Sequence, residues 1–392
     1  MKHPLNLRDT DLLFERIRRN PKQKVARNIL ILLLIFAGYF LVTAITESLI
    51  MTIVAPPHVD VQMQGGSISA DVKMTPDDVR NMLYMTLVSI ALTFVFCCCI
   101  ESRGVRTMGL AKRRAVPDYL IGILLGLGLM TATVMIAWGL GGVTYQGTVS
   151  SVPVQPMLLF IGGWMIQGFS EELTFRGYLT VSAGTYHSPV TAVAVSSLAF
   201  AAAHLSNDGI SVFACVNLTL FGVLAALLFL RTDSIWCVAA LHSFWNMAQG
   251  NVFGLKVSGI DVGVTFFRFD MVADKDWVNG GGFGLEGGIA TTIVMSLGIL
   301  VIFLLPQRQP EQLPPPLPPV PQMPPYMAPQ FPMPVYPQQM QQYPQQPVYP
   351  QAPMQQYPQQ PVYPQTPMQQ YPQQPGYPQP PVPQQQQPPD TM

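Results

Sequence analysis

The sequence predicts an all-α fold: a polytopic membrane bundle of about eight transmembrane helices with a disordered C-terminal tail. Three observations predict it. Of 392 residues, 49% are hydrophobic and only 11% charged, and mean hydropathy is +0.29 although residues 307–392 hold few strong hydrophobes. The apolar content is therefore concentrated between residues 28 and 306, in runs long enough to span a bilayer. Two basic clusters, finally, stand before the first run and after the second, both on one side, as the positive-inside rule expects of a multi-pass chain.

The same totals exclude some functions. Formal net charge is zero, so no overall basic footprint supports a nucleic-acid partner; the lipid bilayer is the partner that the composition demands. Cys97, Cys98, Cys99, Cys215 and Cys237 all lie inside apolar runs. That is the placement of small buried hydrophobes, not of a secreted disulfide framework or spaced zinc ligands.

Residues 1–27 form a basic segment holding Arg16, Arg18, Arg19, Lys22, Lys24 and Arg27, which predicts a cytoplasmic N-terminus. The run Asn28–Val54 is too long for a signal peptide's apolar region and reads as the first span. Glu47, near its outer end, is expected to be a solvated interfacial side chain. Residues 55–80 carry mixed charge and suit an outer loop. A second span, about Asn81–Ile100, returns the chain to Arg103, Arg106, Lys112, Arg113 and Arg114, the second basic cluster.

Spans three and four are expected at about Tyr119–Leu140 and from about Val154 to Ala183, joined by a nearly uncharged outer loop. The fifth, about Pro189–Leu205, ends in Phe200-Ala201-Ala202-Ala203-His204. The sixth, about Val212–Leu230, stops at Arg231 on the inside. The seventh, about Ser234–Val252, contains His242-Ser243-Phe244-Trp245-Asn246, and the eighth covers about Gly287–Leu305. Eight spans within a membrane domain of residues 28–306 put both termini in the cytoplasm of a multi-pass cell-membrane protein. The glycine-rich stretch Gly280–Gly288 before the last span reads as a flexible loop.

Residues 307–392 are rich in Pro, Gln, Tyr and Met, with a fourteen-residue repeat starting at Tyr343, again at Tyr357 and in degenerate form at Tyr371. Proline at this density favours polyproline II and prevents a packed core. Leu313–Pro319 could dock to tail-binding proteins with grooves for proline-rich peptides, but a solvated spacer explains it more simply.

Chemistry is expected where charge interrupts the fourth span. A charge at mid-membrane costs about 2.5–3.5 kcal/mol on insertion scales, so Glu171, Glu172 and Arg176 need partners, water or a task. Glu172 and Arg176 are four residues apart with the acid first, the favourable order for an ion pair along one helix face. Glu171 is turned about 100° from its neighbour and has no evident partner in its own helix. An acid so placed suits a general base near neutral pH, or a bond to another helix.

His204 follows Phe200 by four residues and shares its face, as a catalyst or as a structural residue at a helix end. His242 and Asn246 are also four apart and aim an imidazole and a carboxamide at one point. That pair suits an oxyanion or ordinary interhelical hydrogen bonding. In conjunction these groups are what hydrolysis inside a bilayer needs. Two imidazoles and a carboxylate, His204, His242 and Glu171, could instead hold zinc with water in the fourth position. No HExxH motif compels a metal, and zinc or no cofactor both stay open.

The motifs Glu171-Glu172-xxx-Arg176, Phe200-xxx-His204 and His242-xxx-Asn246 resemble, in order, those of the CPBP family, the CAAX-protease and bacteriocin-processing (Abi) intramembrane proteases. The resemblance covers about residues 119–252, and the eight-span layout extends it to about 305. It implies an endopeptidase acting on a membrane-associated protein or peptide. Glu171 would activate water with help from His204, His242 and Asn246 would form the oxyanion hole, and Glu172 and Arg176 would support them. The family is described both as metalloproteases and as metal-free, glutamate-dependent enzymes. A non-catalytic membrane protein for bacteriocin self-immunity or scaffolding, or an ion-coupled transporter using the same acids and histidines, are the competing readings.

Overall fold

The computed structural model describes residues 12–304 apart from 57–59, 65–66, 72–73 and 111–113. The chain divides into two units, Met1–Leu317 and Pro318–Met392, and every described residue belongs to the first. The repeat tail lies outside the described residues.

Helix dominates. The helices are α1 (Leu12–Arg18), α2 (Ile29–Val54), α3 (Pro76–Met85), α4 (Leu87–Val95), α5 (Ala115–Gly139), α6 (Val154–Glu172), α7 (Val181–Tyr186), α8 (Pro189–Ala203), α9 (Val212–Thr232), α10 (Ile235–Met247), α11 (Asp276–Asn279) and α12 (Ile289–Leu304). Among the described residues four stretches are long and apolar enough to cross a membrane: Ile29–Val54, Pro76–Ile100, Ala115–Gly139 and Val212–Thr232. Pro189–Ala203 and Ile289–Leu304 are shorter apolar helices. The helical stretch that starts with α6 falls outside both groups because its middle carries charge, and α10 because it is short and polar. The protein is a multi-pass membrane protein, with lipid as the natural neighbour of outward side chains such as Leu34, Ile53, Leu124 and Val212, each more than two-thirds exposed.

Caps set several boundaries. Asn28 accepts hydrogen bonds from the N–H groups of Leu30 and Ile31 and starts α2. Thr75 and Asp78 form a reciprocal capping box at α3. Ser188 accepts from Thr191 N–H, so α8 begins at Pro189 and no earlier.

The all-α expectation needs one correction, since the described residues include two small antiparallel sheets. Strands β1 (Asp60–Gln64) and β2 (Ser67–Asp71) pair with Asp60 opposite Asp71. Strands β3 (Val143–Thr148) and β4 (Phe267–Met271) pair with Val143 opposite Met271 and a register shift between Tyr145 and Gly147. In β4, Phe267, Phe269 and Met271 alternate with Arg268 and Asp270, a period-two signal inside a loop. The rings of Tyr145, Phe253, Phe267 and Phe269 pack across this sheet at centroid distances of 5.3–6.2 Å.

The N-terminal basic segment is docked to the bundle. Leu13, Phe14 and Ile17 of α1 are buried, and Arg18 donates to the carbonyls of Thr185 and Gly184 at the end of α7. Asn20 donates to Ser102 O and Lys24 N–H to Glu101 O. These contacts join residues 12–27 to the second basic cluster at one end of the bundle.

Candidate active site

From Val154 the helix runs through Glu172 into a widened π-helical stretch, Leu173–Thr180, and on through α7 to Tyr186. The two glutamates thus sit where α-helical geometry gives way to π, a transition frequent at functional sites. Gly168, one turn earlier, lets α6 approach α10: a Cβ there would lie 2.5 Å from Ser243 Oγ and 2.8 Å from Ser243 N. This close approach brings the acidic pair beside His242.

Glu172 and Arg176 are both fully buried, and Arg176 Nη1 donates to Glu172 Oε1 at 2.9 Å. The same oxygen lies 2.8 Å from His242 Nδ1. Arg176 Nη2 donates to Gly222 O at 3.3 Å and its guanidinium lies over the Phe200 ring at 4.8 Å. One carboxylate oxygen therefore takes an arginine and orients an imidazole.

Glu171 is turned toward a cavity. Its Oε1 accepts a short hydrogen bond from Gln167 Nε2. Its Oε2 makes no hydrogen bond to the described residues and lies 3.8 Å from His242 Nε2. Gln167 Oε1 accepts from Asn246 Nδ2 at 3.1 Å. A single glutamine thus ties the acid to the carboxamide.

His204 caps the C-terminal end of α8, and its Nδ1 lies 2.8 Å from Phe200 O. A carbonyl only accepts, so Nδ1 carries a proton, and in the neutral ring Nε2 is the nitrogen with the lone pair. The Phe200 ring packs between the two histidines, with centroid distances of 4.8 Å to His204 and 5.9 Å to His242.

Glu171, His204, His242 and Asn246 all line one cavity of about 310 Å³, together with Gln167, Glu47 and Glu286. Counted along straight helices from their inner ends at about 1.5 Å per residue, His204 and Glu171 differ in depth by several ångströms. The two line one cavity without an earlier start to α8, whose first residue Ser188 fixes.

Two side chains depart from expectation. Glu47 is no solvated interfacial group: it lines the cavity and accepts a hydrogen bond from Ser89 Oγ. Gly280–Gly288 is no flexible loop either. Glu286 is buried there, and its Oε2 accepts from Ser258 N at 2.6 Å and Ser258 Oγ at 2.9 Å. Asn217 clamps the backbone by donating to Glu286 O and Gly288 O, each at 2.8 Å. Gly284, at φ +100°, passes so close to Lys256 O that a Cβ would lie 2.2 Å from it. Burial holds the Glu286 carboxyl above its ordinary value, with the Ser258 hydrogen bonds pulling partly the other way. Gln167 is the residue that sequence reasoning passed over; its place four residues before Glu171 was the available signal.

The donor types would suit zinc, but their placement does not form a site. Among the described residues no three His, Cys, Asp or Glu side chains come together as metal ligands, so the trio Glu171, His204 and His242 lines the cavity without forming a metal cage.

Residues 153–248 match the family model described as type II CAAX prenyl endopeptidase Rce1-like. No curated protein and no solved structure matches the chain. The matched segment opens at the start of α6 and closes just after α10, so it contains Glu171, Glu172, Arg176, His204, His242 and Asn246, while Glu47 and Glu286 lie outside it. Over residues 153–248 the chain is thus similar to the Rce1-like CAAX prenyl endopeptidases, in agreement with the resemblance that its three motifs carry.

Proposed function

We propose that the protein is an intramembrane endopeptidase that hydrolyses a peptide bond of a membrane-associated protein or peptide with water activated by Glu171. The observation that carries this is Glu171, whose Oε2 makes no hydrogen bond to the described residues and lies 3.8 Å from His242 Nε2, on a cavity that His204 and Asn246 also line. Water between Glu171 and the scissile carbonyl gives a proton to the carboxylate as its oxygen attacks carbon. His204, with Nδ1 held by Phe200 O and Nε2 a base, helps to orient that water.

The carbonyl oxygen takes the negative charge, and Asn246 and His242 are its donors. Asn246 uses one N–H on Gln167 and keeps the other. For His242 Nε2 to donate, the ring must carry both protons, and the flanking carboxylates of Glu171 and Glu172 supply the charge that such a cation needs. Collapse of the tetrahedral intermediate breaks the C–N bond, and the proton on Glu171 passes to the leaving amine. Glu172 and Arg176 are positioning residues for His242.

No lysine or arginine among the described residues lines the cavity. A substrate's free C-terminal carboxylate would find no lysine or arginine to pair with there, and His242 is already flanked by two glutamates, which favours an internal bond. Eight spans complete the reading: the four long stretches, those starting with α6 and α10, and the shorter α8 and α12. Both termini then lie in the cytoplasm, at the basic end. The test compares membranes from cells carrying the wild-type, Glu171→Gln or His204→Ala protein at matched abundance, with new protein termini read by mass spectrometry. Termini that vanish in both variants are expected; termini retained in both would defeat the proposal.

A further inference from the structure

We infer that the cavity takes its peptide from the non-cytoplasmic face, so that the substrate class is membrane-held segments whose scissile bond lies in the outer half of the bilayer or just beyond it. The inference rests on the protease reading above and adds the side from which the site is served.

The two ends of the bundle differ in charge and in construction. One end gathers residues 12–27, 101–110 and 184–188 through the contacts of Arg18, Asn20 and Lys24, and the start of α10 joins them through Ile235 N–H to Gly109 O at 3.0 Å. Here lie Arg16, Arg18, Arg19, Lys22, Lys24, Arg27, Arg103, Arg106, Arg114 and, beside the start of α10, Arg231. The other end gathers β3, β4 and the loops around Asn207 and residues 253–288. Val149 N–H donates to Phe266 O, Asn207 to Ser258 O and Gly259 N–H to Phe283 O. Its charges are mixed, with Asp208, Asp261, Asp270, Asp274 and Asp276 beside Lys256, Arg268 and Lys275. A Lys/Arg excess in short segments flanking the spans marks the cytoplasmic end.

The cavity belongs to the second end. His204 caps α8 there, Ser258 and Glu286 come from its loops, and Asn217 sits within two turns of the start of α9. Toward the basic end the way is closed. Tyr39, Phe40 and Phe175 line the cavity on that side, and Phe36, Phe96 and Tyr178 pack against them with centroid distances of 5.2–6.1 Å. Tyr178 is fully buried, and α1 adds buried Leu13, Phe14 and Ile17 at that end. A peptide coming from the cytoplasm would have to displace this aromatic floor; one coming from the far face meets the loops whose Asn207, Ser258 and Glu286 themselves line the cavity.

Two measurements on the full-length protein test this. In the first, a membrane-impermeant maleimide is applied to sealed right-side-out vesicles carrying Arg268→Cys or Lys22→Cys protein, with the parent as baseline. Label on Arg268→Cys and none on Lys22→Cys is expected; the reverse overturns the inference. In the second, the termini that depend on Glu171 are mapped onto the topology of the proteins cut. Cuts clustered at non-cytoplasmic ends of membrane spans support the inference. Cuts at cytoplasmic ends overturn it while leaving the protease reading standing. Absence of any cut that differs between wild type and Glu171→Gln removes the protease reading itself, and the inference with it.

Discussion

Among the described residues two acid–arginine pairs are buried, and they are built for different ends. Near the basic end Glu101 and Arg103 form an ion pair at 2.9 Å, with both side chains buried. Ser182 Oγ donates to both oxygens of Glu101, while Arg103 Nη2 reaches Cys97 Sγ at 2.9 Å and Gly177 O at 3.2 Å. Both carboxylate oxygens are engaged, and neither Glu101 nor Arg103 lines the cavity that Glu171 faces. Glu172 and Arg176 are buried as completely, but their neighbour Glu171 keeps one oxygen free beside an imidazole and a cavity of about 310 Å³. Buried charge alone therefore does not mark a reactive centre. The marks are an acid that its surroundings leave partly unengaged and room for a substrate next to it.

The comparison can be broken or sharpened in order of expected effect. If both pairs are equally structural, Arg176→Ala and Arg103→Ala each leave an uncompensated buried carboxylate and lower stability by about 3–5 kcal/mol. Thermal unfolding in detergent checks this, and a mild effect in either variant would show that the two pairs are unequal. Gln167→Ala deletes the hydrogen bond to Glu171 and the link to Asn246. A hydrogen bond to a charged group is worth about 1.5–3 kcal/mol, so cleavage falls about 10- to 150-fold. Unfolding temperature moves little, and Ser182→Ala in the other cluster leaves cleavage unchanged.

Gly168→Ala pushes α6 away from α10 and costs about 1–3 kcal/mol, with cleavage lost along with stability. The smallest effect is a slope. Because the Glu286 carboxyl is held above its ordinary value, its contribution to stability is full below the ordinary carboxylate value and lost as pH rises through the raised one. Unfolding followed against pH should show that decline in the wild type and a flatter profile in Glu286→Gln.

Much of this was legible in the sequence because helices carry their partners at fixed spacing. The Glu172–Arg176 pair, the Phe200–His204 contact and the shared face of His242 and Asn246 all follow from a four-residue step. The apolar runs located the helices for the same reason. What escaped depended on distant partners. Glu47 read as interfacial because nothing local reveals that Ser89 and the cavity face it. Gly280–Gly288 read as flexible because glycine permits both a loose loop and a tight one; the clamp from Asn217 and the hydrogen bonds from Ser258 decide the matter. The pairing of β3 with β4 joins segments more than a hundred residues apart, and only the alternation in Phe267–Met271 hinted at it.

The most direct test sets the two clusters side by side. Glu171→Gln and Glu101→Gln are the same chemical change in two buried surroundings, and the readout is the set of protein termini generated in membranes holding equal amounts of each variant. The account predicts that Glu171→Gln abolishes the termini that wild-type protein generates, while Glu101→Gln retains them. Termini that persist in Glu171→Gln, or that vanish equally in both, would contradict it.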